Sequence, residues 1–383
     1  MKYGLVLVLG TALSAAAGHG QGTSVAQAVA PEAHGTLAWF AGSQEELAAA
    51  AKHEQRPTMI YLWTKGERWC QRLETQSLRE DALSKALGGL LLWNTDAEVG
   101  SGAILSARFS LTAFPVLLFF DASGAPVERI DGFLSKEALG LEVARVLRQE
   151  DTLPGLRRRV ALDPADVQLR SRLVDKLWAL GGSAEAEEQL EDLRRRDPKR
   201  TCPVLRREVL AERMALIEEH FSRTRVLNPG PLVRFLEEER NVELLFLGYA
   251  SLASLHLRRA EELESVKQPE AARSKRADVR AALTNAASYA PVNAALRLGF
   301  ALRLFSSFAA HPAELSEPDR ALLLQLSAEA VSLAPDEARV HACAALASFF
   351  TGDQASASAA ARRALELEPG HPEWLSIAQT VGL

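Results

Sequence analysis

The sequence predicts an α/β domain followed by an all-α stack of paired helices. Three observations carry this. Apolar runs of strand length alternate with helix-period segments as far as residue 150. After Leu153-Pro154-Gly155 the pattern turns almost wholly helical to Leu383. In that second part Asp163-Pro164 recurs as Asp197-Pro198, and Ala334-Pro335 recurs as Glu368-Pro369, both with a period of about 34 residues.

The chain has 383 residues, enough for two domains that each bury a core. A hydrophobic content of 48% beside 24% charged residues is ordinary globular composition. The net charge of −5 gives no pull toward nucleic acid or anionic membrane. Abundant Ala, Leu, Arg and Glu favour helices. The three cysteines, Cys70, Cys202 and Cys343, are too few for a disulfide scaffold, and their spacing fits no zinc motif.

Residues 1–20 are expected to be a signal peptide. Lys2 precedes the apolar run Leu5–Ala17, which is shorter than the roughly 20 residues a spanning helix needs. Ala15-Ala16-Ala17 before Gly18 fits a small-x-small cleavage site. The body is then exported to a periplasmic or extracellular, oxidising compartment. The alternative is an uncleaved anchor, and only that form would touch a membrane. Residues 21–35 are expected to be a linker.

The first domain is expected over residues 36–150. Thr36–Phe40 is a short strand candidate. Ser43-Gln44-Glu45-Glu46 has capping-box spacing, with Leu47, Ala50 and Ala51 at helical positions behind it. Pro57 stops that helix, and Thr58–Trp63 is the central strand. A polar turn, Thr64–Arg68, leads to a helix running to about Leu87, broken by Gly88-Gly89. Leu90–Thr95 is a strand, and Ile104–Phe109 a helical turn or short helix. Pro115 then opens a strand, Val116–Asp121, which Ser123-Gly124 turns back into Val127–Asp131. Ser135 caps a closing helix that reaches about Gln149.

Trp39, the Ala-rich Glu46–Lys52 segment, Gln71-Arg72-Leu73-Glu74 after Cys70, and the Phe114-Pro115 block carry a family resemblance. The segment Leu37 to Leu147 resembles the secreted thioredoxin-like branch, whose members hold a Cys-x-x-Cys-Lys-x-Leu-Glu block at the strand-to-helix corner. The resemblance implies a thioredoxin fold. It also implies a cis peptide bond before Pro115, with backbone there free to pair with an extended substrate.

The departure from the family is at the reactive corner. Counting from Trp63, the family's first cysteine falls on Glu67, so Glu67-Arg68-Trp69-Cys70 fills the Cys-x-x-Cys slot. The first position is the attacking thiolate in the family, and the second is the buried resolving thiol. A carboxylate can be stabilised at a helix start but cannot attack a disulfide. The family's proton-shuttling acid falls on Tyr61. A second alignment sets Trp69-Cys70 on the family's Trp-Cys, makes Leu73 the lost cysteine, and leaves Cys70 as a lone nucleophile. Trp39 and Trp63 are expected in the core, and Trp69 exposed in the turn.

The second part, residues 155–383, resembles tetratricopeptide repeats (TPR). With Pro198 as a closing proline, Leu173 and Leu177 fall on a first helix, Gly181-Gly182 at the turn, and Ala186, Leu190 and Leu193 on the second. The same frame on Pro369 places Ala345, then Gly352 at the turn, then Ala357, Ala361 and Ala364, small residues that let helices approach closely. Further pairs are expected at Val242–Glu264 with Pro269–Ala290, and at Pro291–Ala309 with Asp319–Leu333. Cys202–Thr224 with Pro231–Arg240 is a less regular one. Stacked pairs are expected to make a solenoid, and the resemblance implies a concave surface of the kind that binds peptides or proteins. The basic runs Arg157–Arg159, Arg194–Arg196 and Arg206-Arg207 are read as solvated helix faces. His311, His341 and His371 are read as structural, and so are Cys202 and Cys343.

No phosphate loop, catalytic carboxylate pair or metal motif is present in the sequence, so no cofactor or metal is expected. The resulting expectation is an exported protein-binding or scaffold module with a redox-degenerate site. It would hold a protein or extended peptide through Glu67, Arg68, Trp69, Phe114 and Pro115. The alternative is a thiol-disulfide oxidoreductase or isomerase with Cys70 as the single catalytic residue, since one thiolate can form a mixed disulfide and be released by an outside thiol.

Overall fold

The computed structural model describes residues 37–79, 81–289 and 294–383. The expected signal peptide, the linker and Thr36 lie outside the described residues.

The first part is a four-stranded mixed sheet between two layers of helices. Its elements are α1 (Gln44–Glu54), β1 (Thr58–Trp63), α2 (Arg68–Arg72), a π-helical turn (Leu73–Ser77), α3 (Asp81–Leu87), β2 (Leu91–Asp96), α4 (Gly100–Arg108), β3 (Val116–Phe120), β4 (Pro126–Asp131) and α5 (Lys136–Leu147). Strand order is β2-β1-β3-β4. β1 and β2 run parallel, as the intervening helices require, while β3 is antiparallel to both β1 and β4. Of the strand expected at Thr36–Phe40, the described residues 37–40 form a single parallel bridge, Trp39 to Leu92.

The period-2 rule explains why β1 reads as a continuous apolar run. Met59 and Tyr61 point to one face and Ile60 and Leu62 to the other, and all four are buried. The first face packs with Leu73, Leu78 and Leu87 from the helices after β1, and with Leu139 and Val143 of α5. The second packs with Leu47 and Ala51 of α1 and with Leu105 of α4. The predicted capping box is present, Ser43 Oγ accepting from Glu46 N at 3.2 Å and Glu46 accepting from Ser43 N at 2.7 Å. The helix after the corner is not continuous. Leu73 and Leu78 both belong in the core but stand five apart. The wider π turn, closed by Leu78 N to Leu73 O at 2.9 Å, keeps both on the buried face.

The second part contains α6 (Leu153–Leu162), α7 (Val167–Ala179), α8 (Ser183–Arg196), α9 (Pro203–Thr224), α10 (Gly230–Glu238), α11 (Val242–Ser265), α12 (Pro269–Ala287), α13 (Ala294–Ala309), α14 (Glu317–Leu333), α15 (Ala338–Phe350), α16 (Gln354–Leu367) and α17 (Pro372–Thr380). α7 packs on α8, α11 on α12, α13 on α14 and α15 on α16. Gly181 and Gly352 take positive φ, 74° and 84°, at two of the turns. Leu173, Leu177, Ala186, Leu190 and Leu193 are buried where the repeat frame places them, as are Ala345, Ala357, Ala361 and Ala364. The basic runs are ion-paired: Arg157 with Glu185, Arg159 with Asp151, Arg196 with Asp192, and Arg206 with Glu239.

Among the described residues, two contacts between the parts bear on the site. At the first, the Glu128 carboxylate on β4 is fully buried between Arg145 of α5 (2.9 Å) and Lys176 of α7. Arg129 also reaches the Ala179 carbonyl at 3.4 Å. The second contact is at the β1–α2 corner.

Candidate functional site

The corner begins where β1 ends. Gly66, at φ 81°, turns the chain, and Glu67 N donates to Thr64 O at 3.3 Å. Glu67 is the N-cap of α2, its carboxylate accepting from Trp69 N at 3.3 Å. The anion at the helix start is therefore a carboxylate engaged in capping.

Cys70 lies inside α2 and is 2% exposed. Burial, with the Glu67 and Glu74 carboxylates adding to it, pushes its thiol up to about 12. At neutral pH it is a protonated, inaccessible thiol, the reverse of a nucleophilic cysteine. Tyr61 is fully buried beneath it. Its hydroxyl donates to Glu74 Oε1 at 2.8 Å and lies 3.4 Å from the Cys70 carbonyl oxygen. Burial, the Cys70 thiol and Glu74 all raise the phenol far above its ordinary range. Cys202 and Cys343 are also buried and free, and burial pushes Cys343 up to about 12.

The bond between Phe114 and Pro115 is cis, as expected. The register that pairs Leu62 with Val116 sets Pro115 level with Trp63, at the end of β1 from which the corner leaves. Pro115 is buried and Phe114 half-buried. The Pro115 carbonyl accepts from Gly132 N at 2.8 Å.

The expectation for Trp69 needs correction. It is half-buried rather than exposed, because the helical array covers it. Its ring lies 5.6 Å from Phe133, and the Arg72 guanidinium sits 5.2 Å from Trp69 and 5.1 Å from Phe133. Arg72 also donates to the Leu333 carbonyl at the end of α14. Arg68 pairs with Glu337 and lies 3.9 Å from Asp336, in the turn between α14 and α15. Trp39 and Trp63 are also half-buried, packed at the edge of the sheet core.

Sequence reasoning named Glu67, Arg68 and Trp69 but missed Arg72, Phe133, Asp336 and Glu337. Arg68 and Arg72 stand four apart, so one helix face carries both cations, and that spacing was a readable signal. Their acidic partners are distant in sequence and carried none. A separate groove of about 430 Å³ is lined by Leu47, Ala51, Ile60, Leu105 and Phe120 on the α1/α4 side, with no corner residue in its wall. Among the described residues no group of three His, Cys, Asp or Glu side chains could hold a metal ion.

No protein-family model and no curated protein matches the chain. Among solved structures it is similar to a thioredoxin from Thermus thermophilus, at 22% identity and a TM-score of 0.27, over 29% of this chain and 88% of that one. It is also similar to a DsbH oxidoreductase, at 22% identity and a TM-score of 0.26, over 33% of this chain and 95% of that one.

Proposed function

We propose that this is an exported protein-binding module, a thioredoxin-like domain without dithiol chemistry joined to a TPR-like helical array. The observation that carries the reading is the state of Cys70. It is buried inside α2 with its thiol held protonated, while Glu67 caps the helix start where an attacking thiolate would need to stand. The mixed sheet with its closing hairpin and the glycine-turned helix pairs with buried alanines support the two fold assignments. What such a surface offers a partner is the backbone of Phe114, just ahead of the cis proline, and the flank of the array.

The test is a pair of measurements on wild type and Cys70→Ser. Both proteins should reduce a model disulfide only at the background rate. Both should bind a labelled, permanently unfolded polypeptide with the same affinity. Disulfide reduction that depends on Cys70 would overturn the reading in favour of single-cysteine exchange.

A further inference from the structure

The second contact between the two parts has the form of a bound ligand. Arg68 and Arg72 project from α2, Trp69 and Phe133 supply an aromatic base beside Arg72, and the segment Leu333–Glu337 meets the two arginines. Each group of that segment that meets the corner matches a peptide feature. The Leu333 carbonyl accepts from Arg72, and the Asp336 and Glu337 carboxylates face Arg68. The linkage is partly open to solvent, with side-chain exposures of 30% for Arg68, 25% for Glu337 and 61% for Asp336. Ion pairs of this kind are weak and salt-screened, so they can be exchanged. A backbone carbonyl and two carboxylates are not unique to this turn, because any acidic peptide offers them.

We propose that the Arg68–Trp69–Arg72–Phe133 corner is a docking site for an acidic peptide segment, held shut in this structure by the chain's own Leu333–Glu337 turn. The inference rests on the protein-binding reading and gives the partner's chemistry. The partner presents two adjacent carboxylates and a free carbonyl, and it competes with the internal segment. Binding is therefore weak until the turn lifts, since apparent affinity scales with the fraction of open molecules.

The experiment uses the full chain and a fluorescent peptide spanning residues 330–340 of the same sequence. Asp336→Lys combined with Glu337→Lys repels the turn and leaves the corner intact. This variant should bind the peptide at least tenfold more tightly than wild type. Adding Arg68→Ala and Arg72→Ala should abolish binding, and a peptide with both acids changed to lysine should not bind. Equal binding to wild type and the opened variant overturns the proposal, as does no binding to the opened variant or binding indifferent to the arginines. Hydrogen exchange of wild type provides a readout independent of the variants' folding. Residues 66–74 should lose protection between low and high salt, and unchanged protection overturns the latch. Failure of the peptide arm with Cys70-independent binding of unfolded polypeptide intact removes only the docking site proposed at this corner. Cys70-dependent reduction instead removes the binding-module reading beneath it.

Discussion

The Tyr61 hydroxyl donates to Glu74 Oε1 at 2.8 Å, tying the central strand to the π turn directly beneath Cys70. Position 61 is where the thioredoxin resemblance implies a proton-shuttling acid. The phenol there does structural work, because it satisfies a carboxylate that would otherwise lie partly buried beside a thiol. Tyr61→Phe removes the donor and leaves the shape. Hydrogen bonds to charged groups contribute about 1.5–3 kcal/mol, and Glu74 has further interactions, so a loss of about 1–2 kcal/mol is expected in denaturant unfolding. An unchanged midpoint would show that the bond contributes nothing net.

The thiol of Cys70 should be inert in the folded protein. Alkylation at pH 8 under native conditions is expected to run at least about 100-fold slower than in denaturant, limited by opening of the structure. Labelling at the rate of a free thiol would contradict the buried position.

Stability should fall at alkaline pH. Cys70 has a folded value of about 12 against an ordinary 9.0, so below pH 9.0 both states hold the proton and the contribution is constant. Above 9.0 the unfolded chain loses its proton while the folded chain keeps it. The stability slope is then negative, up to about 1.4 kcal/mol per pH unit for each such group. Cys343, with the same values, acts in the same window, and Tyr61 is shifted in the same direction. Denaturation midpoints should therefore drop between pH 9 and pH 11, and Cys70→Ala should show a shallower slope whatever its starting stability. Parallel slopes would refute the assignment.

Glu128 should matter to the joint between the two parts. Its carboxylate is completely buried between Arg145 and Lys176. Glu128→Gln leaves two cations facing a neutral amide. Breaking a buried pair costs about 3–5 kcal/mol, and the partial exposure of both cations puts the expected loss nearer about 2–3 kcal/mol. Lys176→Met removes a flanking cation instead and should cost less. The two denaturation curves decide this, and equal losses would mean the joint does not depend on the buried acid.

Gly155 should not tolerate a side chain. A Cβ there would stand 2.1 Å from the Gln149 carbonyl oxygen, where the closing helix of the first part meets α6. Backbone cannot yield as a flexible side chain can. Gly155→Ala is expected to cost about 1–3 kcal/mol by overpacking and to raise protease cutting near residue 150. Wild-type stability and cutting would show that the junction is slack.

Most of the first domain was legible because its signals are local. Ser43 and Glu46 announced a capping box that formed, and the apolar run from Val116, set between Pro115 and the Ser123-Gly124 turn, read as a strand and is one. Two local readings failed for identifiable reasons. Residues 37–40 of the expected first strand form one bridge because a flanking segment gains pairing only from its neighbour, which propensity does not record. The helix after Cys70 widened into a π turn because the core required both Leu73 and Leu78. Trp69 looked exposed because a polar turn ordinarily is, and its cover comes from Phe133 and from the helical array, both distant in sequence.

Composition, period and spacing therefore determined an α/β part, a helical-pair part and a polar corner between β1 and the helix that carries Cys70. Those features depend on neighbours within one or two turns of chain. Only the tertiary structure decided that Cys70 is buried with its proton held, that Tyr61 serves Glu74, and that Arg68 and Arg72 are met by the Leu333–Glu337 turn. Each of these depends on desolvation or on charges brought together across hundreds of residues, and no pattern of sequence neighbours encodes that distance.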